Sequence, residues 1–219
     1  MQYIIAKTGD GSHTLYVPEI DEYYHSIHGA IQESEYVFIK CGQEFSSANP
    51  LRIFEAGFGT GLNALLACIS AEAGRRTVFY TSIEKYPLPE RIITSLNHTA
   101  MLGEEAKHWF ELIHSCEWNR PEEITKNFIL HKICGDLITD DLEGFYDLIF
   151  FDAFSPGRQP DIWAPELFRK ISRITVPGGI FMTYSVKGEI KRALRANGFR
   201  VTLLPGPAGK RHILRAFKS

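Results

Sequence analysis

The string GFGTGLN places Gly57, Gly59 and Gly61 between an apolar run, LRIFEA (51–56), and a stretch of helical spacing, GLNALLACISAEA (61–73). Glycine removes the Cβ where a turn is tight and where a ligand must approach the backbone closely. Glu55 stands two residues before the first glycine, where an acid repels a pyrophosphate but accepts hydrogen bonds from an amine. The third glycine follows the second by two positions, whereas the dinucleotide fingerprint spaces them by three. Both features point away from a dinucleotide and toward a cationic, phosphate-free adenosine ligand, of which S-adenosylmethionine is the common one. Asn63 closes the string and joins the same candidate binding set.

Three more acids stand where apolar runs end. Glu84 closes VFYTSIE (78–84), a place where a ribose with two hydroxyls needs a bidentate acceptor. Asp136, in the triplet CGD, is placed to accept a hydrogen bond from an adenine amino group, although Gly-Asp is also an ordinary turn pair. Asp152 follows the fully apolar DLIFF and opens Asp152-Ala153-Phe154-Ser155-Pro156. A carboxylate after so buried a run costs free energy unless it has a partner or a task, which makes Asp152 the catalytic candidate.

These residues need a frame that brings strand ends together. The chain has 219 residues, 44% hydrophobic and 23% charged, which suits one large core and leaves little room for two. Strands are expected at 51–56, 78–84, 127–134, 146–153, 179–185, 200–206 and 212–218, with helices filling the gaps, among them 61–73, 164–174 and 187–199. That alternation predicts an α/β fold with a mostly parallel seven-stranded sheet. The last two strands are joined by PGPAGKR, too short for a crossover, so they pair as an antiparallel hairpin. Residues 1–50 read as an N-terminal extension, a short hairpin and then a helix near GAIQESEYVFI, packed on a 51–219 core.

Composition excludes several classes. No apolar run approaches the roughly 20 residues of a membrane span, and the N-terminus lacks a secretory layout, so a cytoplasmic protein is expected. Cys41, Cys68, Cys116 and Cys134 are scattered, with no metal-ligand spacing, so no metal is expected. The charge is uneven: residues 187–219 carry nine Lys or Arg and a single acid, Glu189. That tail reads either as a solvated surface or as a footprint for a polyanion.

Four strings in order, YHS-x-x-GA-x-x-ES-x-x-VF (24–38), FEAGFGTGLN (54–63), DAFSP-x-x-x-PD-x-W (152–163) and GKRHIL (209–214), resemble the methyltransferase domain of the bifunctional enzyme that completes 5-methylaminomethyl-2-thiouridine at the tRNA wobble position. The similarity covers nearly the whole chain. It implies a class I, Rossmann-like methyltransferase fold, S-adenosylmethionine as donor, and N-methylation of the aminomethyl group of 5-aminomethyl-2-thiouridine in tRNA. It also implies a link to a flavin-dependent oxidase, which the bifunctional members carry after this domain; here the resemblance is to the stand-alone form. The family more often has an acid where this chain has His212.

On that reading Asp152 orients the amine and accepts a proton as charge develops. Phe154 and Pro156 wall the pocket, and Tyr184 stacks on or hydrogen-bonds the uracil ring, or is core. Lys210 and Arg211, with Lys187, Lys191, Arg192 and Arg195, supply phosphate contacts. Trp163 anchors its loop, and His25 and Ser26 either close over the ligand or are structural. A class I methyl- or aminopropyltransferase acting on a small amine is the competing assignment.

Overall fold

The computed structural model describes all 219 residues. The chain opens with a small antiparallel sheet, β1 (Ile4–Lys7), β2 (His13–Val17) and β3 (Glu22–Tyr23). Helix α1 (Ala30–Ser34) follows and runs on as a wider helical segment, Glu35–Gln43. Its buried residues Val37, Phe38 and Ile39 join the same hydrophobic cluster as Leu51 and Ile53, so the N-terminal segment is stitched to the main sheet by apolar contact.

The main sheet starts with β4 (Leu51–Ala56), helix α2 (Leu62–Gly74) and β5 (Val78–Glu84). Helices α3 (Glu90–Ile93), α4 (His98–Leu102) and α5 (Glu104–Ser115) then lead to β6 (Pro121–Thr125) and β7 (Phe128–Cys134). The rest comprises β8 (Tyr146–Phe151), α6 (Pro165–Ile174), β9 (Thr175–Thr183), α7 (Gly188–Ala196), β10 (Phe199–Pro205) and β11 (His212–Lys218). The order across the sheet is β10-β11-β9-β8-β4-β5-β7-β6. Strands β7, β5, β4, β8 and β9 run parallel, and β11 pairs antiparallel with both β9 and β10.

Two details differ from the sequence reading. The sheet has eight strands, because Pro121–Thr125 pairs antiparallel with β7 at the edge; its run PEEIT has one buried residue, Ile124, too weak a pattern to read as a strand. Nor does a helix fill the gap between β7 and β8. That stretch, GDLITDDLEGF, is bounded by glycines and rich in acids, and instead of an apolar helix face it lays single leucines, Leu137 and Leu142, on the core.

Strand β8 explains why the site is held firmly. Successive side chains of a strand point to opposite faces. Phe150 packs with Phe38 (5.0 Å between ring centroids) on one face, while Phe151 meets Trp163 (4.8 Å) and Phe181 (5.4 Å) on the other. Each fully buried aromatic contributes roughly 2–3 kcal/mol. Chain order reverses between β4 and β8, and in open α/β sheets the crevice beyond the strand ends at that point receives ligands. Gly57 and Asp152 leave those two neighbouring strands.

Candidate active site

The loop after β4 turns through three glycines at positive φ, Gly57 (+91°), Gly59 (+52°) and Gly61 (+72°). At Gly57 an added Cβ would meet only the Asp152 carbonyl oxygen, at 3.9 Å, so the backbone lies open to a ligand. Gly61 is required for a different reason: a Cβ there would stand 2.8 Å from His114 Nε2. That histidine interacts through Nε2 with the Thr60 carbonyl at 3.2 Å, and His25 Nε2 lies 2.7 Å from Thr60 Oγ1. Burial holds both imidazoles neutral, pushing their pKa values down to about 3. The glycine loop is thus gripped from α5 and from the N-terminal segment.

A cavity of about 280 Å³ opens beside this loop. Gly57, Gly59, Glu84, Asp136, Asp152 and Phe154 all line it, so six of the residues expected from sequence are brought together. Glu84 accepts hydrogen bonds from the Gly59 amide (3.0 Å) and the Tyr86 amide (2.8 Å). Asp136 accepts one from the Ile138 amide (2.9 Å) and pairs with Lys85 at 2.8 Å. Phe154 stands edge-on to Tyr24, 4.9 Å between centroids. A larger cavity of about 650 Å³ lies beyond the loop, lined by Phe110, Trp118 and Lys132, and shares only Gly59 with the first.

Asp152 sits at the rim, and its Oδ2 accepts a hydrogen bond from Asn63 Nδ2 at 2.8 Å. Burial of the carboxyl pushes its pKa up to about 7; the Asn63 hydrogen bond and the Lys210 charge pull it down, while Glu33 adds to the rise. Glu55 does not line the cavity. It lies beneath the loop, 1% exposed, and burial raises its carboxyl to about 8 against the pull of Ser82 and Asn63. The reason is register: Glu55 is an interior position of β4, paired with Ser82 and Phe150 of its neighbours. Gly61 and Asn63 likewise stand behind the cavity wall, the one as helix cap and the other as the partner of Asp152.

The residues expected on the substrate side divide. Trp163 is buried and donates from Nε1 to the Phe154 carbonyl (2.7 Å), anchoring the loop. Tyr184 donates its hydroxyl to the Ala153 carbonyl (2.9 Å), and its ring carries the Lys210 ammonium 4.2 Å from the centroid. Lys210 is ion-paired with Glu33, so unlike exposed Arg211 it does not face solvent as a free phosphate contact. His25 and Ser26 are engaged with Thr60 and Glu33 rather than left free to close over a ligand. His212 pairs with Pro205 at the start of β11. Of the basic tail, Arg215 lies 3.6 Å from the Phe45 ring centroid and Lys218 bonds Ser172 and Asn197, which makes both structural. Lys187, Arg192 and Arg195 are exposed and Lys191 half-buried, all without an ion pair. Sequence reasoning did not single out Thr60, His114 or Glu33; the last is the acid of the ES pair in the 24–38 string.

The lining suits a positively charged adenosine ligand. Four carboxyl groups, Glu84, Asp136, Asp152 and Asp161, border the cavity against two cations, Lys85 and Arg158, and the glycine cradle is open to a ligand. Comparison with known proteins agrees. Residues 98–219 match the model of an S-adenosyl-L-methionine-dependent methyltransferase family. The tRNA 5-methylaminomethyl-2-thiouridine biosynthesis bifunctional protein MnmC of Chromohalobacter salexigens is 31% identical over 95% of this chain and 32% of its own length. That of Paraburkholderia phymatum is 32% identical over 92% of this chain and 33% of its own. The chain therefore spans about a third of the length of these relatives. The crystal structure of MnmC2 from Aquifex aeolicus superposes with a TM-score of 0.81 at 28% identity, covering 98% of this chain and 69% of that one. A spermidine synthase from Thermotoga maritima shares the fold, with a TM-score of 0.55 at 11% identity over all of this chain and 72% of that one. No helix is long and apolar enough to cross a membrane. The chain belongs to the S-adenosyl-L-methionine-dependent methyltransferase family, with an α/β, Rossmann-like fold.

Proposed function

We propose that the chain N-methylates the aminomethyl group of 5-aminomethyl-2-thiouridine at the tRNA wobble position, giving 5-methylaminomethyl-2-thiouridine, in the cytoplasm. The observation that carries this reading is Asp152, tied by Asn63 at the rim of the cavity in the DAFSP loop that the resemblance includes. The names of the relatives support the tRNA substrate. A functional link to a flavin-dependent oxidase, on whatever stretch of polypeptide it is carried, belongs to the same proposal.

When bound, S-adenosylmethionine supplies an electrophilic methyl group on a positively charged sulfur. The chain's residues do the positioning, since in-line displacement needs little else. Glu84 and Asp136 receive the ribose and adenine, and the glycine loop lets the backbone come close. Phe154 helps keep water from the reacting centre. Asp152, with a pKa near neutrality, accepts a hydrogen bond from the acceptor amine and takes its proton as the nitrogen becomes positive, a better match to neutral pH than an ordinary carboxylate. Arg211, Lys187, Lys191, Arg192 and Arg195 are the phosphate contacts in this reading.

Nucleoside mass analysis of tRNA from cells lacking the protein tests the proposal. Accumulated 5-aminomethyl-2-thiouridine is expected, and an unchanged wobble profile would reject it. Methylation of small amines but not of undermodified tRNA by the purified chain would favour a small-amine transferase instead.

A further inference from the structure

Lys210 lies in the turn between β10 and β11, where the Gly206 amide donates to the Arg211 carbonyl and the Lys210 amide to the Pro207 carbonyl. The turn folds toward the N-terminal segment, with the Tyr36 hydroxyl donating to the Pro205 carbonyl at 3.2 Å. The ammonium is consequently directed inward, paired with Glu33 of α1 and set over the Tyr184 ring. The hydroxyl of that ring is bonded to Ala153, next to Asp152. A cation is therefore fixed one aromatic ring away from the loop that carries the catalytic candidate.

A cation in this place has chemical meaning. A free alkylamine is mostly protonated at neutral pH and cannot attack until it is neutral. Carboxyl groups crowd the site: Asp152 at the cavity, Glu33 on α1, and Glu22 accepting from the Ser155 hydroxyl at 2.6 Å, while Glu55 behind them is held largely neutral by burial. Unopposed, they would favour the ammonium form. His25 faces Lys210 but is neutral, and Lys187, beside Gly157, is exposed. Lys85 and Arg158 also line the cavity, but they are ion-paired with Asp136 and Asp21 and about half exposed, so the inward-facing cation on this side is Lys210.

We infer, resting on the function proposed above, that Lys210 is a positioning residue of the methyl transfer, its charge held by Glu33 over Tyr184 so that the acceptor amine beside Asp152 stays unprotonated. In the step it serves, the lone pair of the amine nitrogen forms the new N–C bond. The electron pair of the breaking S–C bond remains on sulfur, now a neutral thioether, and the proton leaving nitrogen passes to Asp152.

The test is the pH dependence of single-turnover methylation of tRNA bearing 5-aminomethyl-2-thiouridine, at saturating donor and tRNA, for wild type, Lys210→Met and Lys210→Arg. Removing one charge several ångströms from the amine is expected to move the acid limb up by about one pH unit. The Met variant then turns over roughly tenfold more slowly at pH 7 and recovers toward pH 9, while the Arg variant stays close to wild type. An unmoved limb with only a raised KM for tRNA would make Lys210 a phosphate contact and overturn the inference. So would a rate lost equally at every pH. An inactive wild type would overturn the functional reading and this inference together, whereas an active wild type with an unmoved limb removes this inference alone.

Discussion

Asn63, in the first turn of α2, donates its Nδ2 amide to the Oδ2 of Asp152 across 2.8 Å and so ties the glycine-loop helix to the loop after β8. The bond fixes the carboxyl's direction and lowers its proton affinity. Asn63→Ala is expected to reduce the rate of methyl transfer about ten- to a hundredfold, as loss of an orienting hydrogen bond implies. Donor affinity should change by less than about threefold, because Asn63 does not line the cavity beside the glycine loop that is proposed to hold the donor. Rapid-quench rates and titration calorimetry separate the two.

The raised carboxyl pKa values make a statement about stability. Asp152 and Glu55 bind protons more tightly folded (about 7 and about 8) than in their ordinary ranges, 3.8 and 4.5. Their contribution is therefore full below those ordinary values and is lost as pH rises through 7 and 8. His25 and His114, depressed to about 3, act oppositely, and their contribution is lost as pH falls below 6.5. Asp152→Asn should leave the thermal midpoint of the ligand-free protein nearly unchanged at pH 4 and raise it at pH 8.5. Calorimetric scans at the two pH values check this; a variant less stable than wild type at pH 8.5 contradicts the assignment.

Glu84 accepts from two backbone amides at the cavity wall. If its carboxylate also receives the ribose hydroxyls, Glu84→Ala weakens donor binding roughly ten- to a hundredfold, the worth of charge-assisted hydrogen bonds. Affinity for tRNA should be untouched. Equilibrium binding of each ligand to the variant distinguishes this from general unfolding.

Gly61 joins a positive φ to a close neighbour, His114. Gly61→Ala is expected to cost about 1–3 kcal/mol and to weaken the donor site. Gly74→Ala, at the far end of the same helix with open space around it, should be neutral or slightly stabilising. Chemical denaturation of the two variants makes the comparison.

The exposed cations of α7 predict a salt signature. Arg192→Glu with Arg195→Glu should weaken tRNA binding and lower the slope of log affinity against log salt by about two. Lys218→Met, whose ammonium bonds Ser172 and Asn197, should leave that slope alone and cost stability instead. Filter binding across a salt series reads both.

Local pattern was enough to place most of the frame. The apolar runs 51–56 and 212–218 coincide with β4 and β11, and the glycines between β4 and α2, with acids at 84, 136 and 152, marked the cavity because each belongs to one strand end. A strand end is a local property, written in a few consecutive residues. What tertiary structure decided depends on partners far along the chain. Lys210 meets Glu33 across 177 positions, Asn63 meets Asp152 across 89, and His114 meets Thr60 across 54. No periodicity reports those distances, so an inward-turned lysine reads as surface charge and a buried Glu55 reads as a ligand. The weak edge strand β6 and the unhelical stretch after β7 follow the same rule, since each is set by its neighbours more than by its own residues. Sequence alone named the types of chemistry available; packing of the N-terminal segment and the β10–β11 turn onto the strand ends settled which groups stand together, because desolvation and charge act through space.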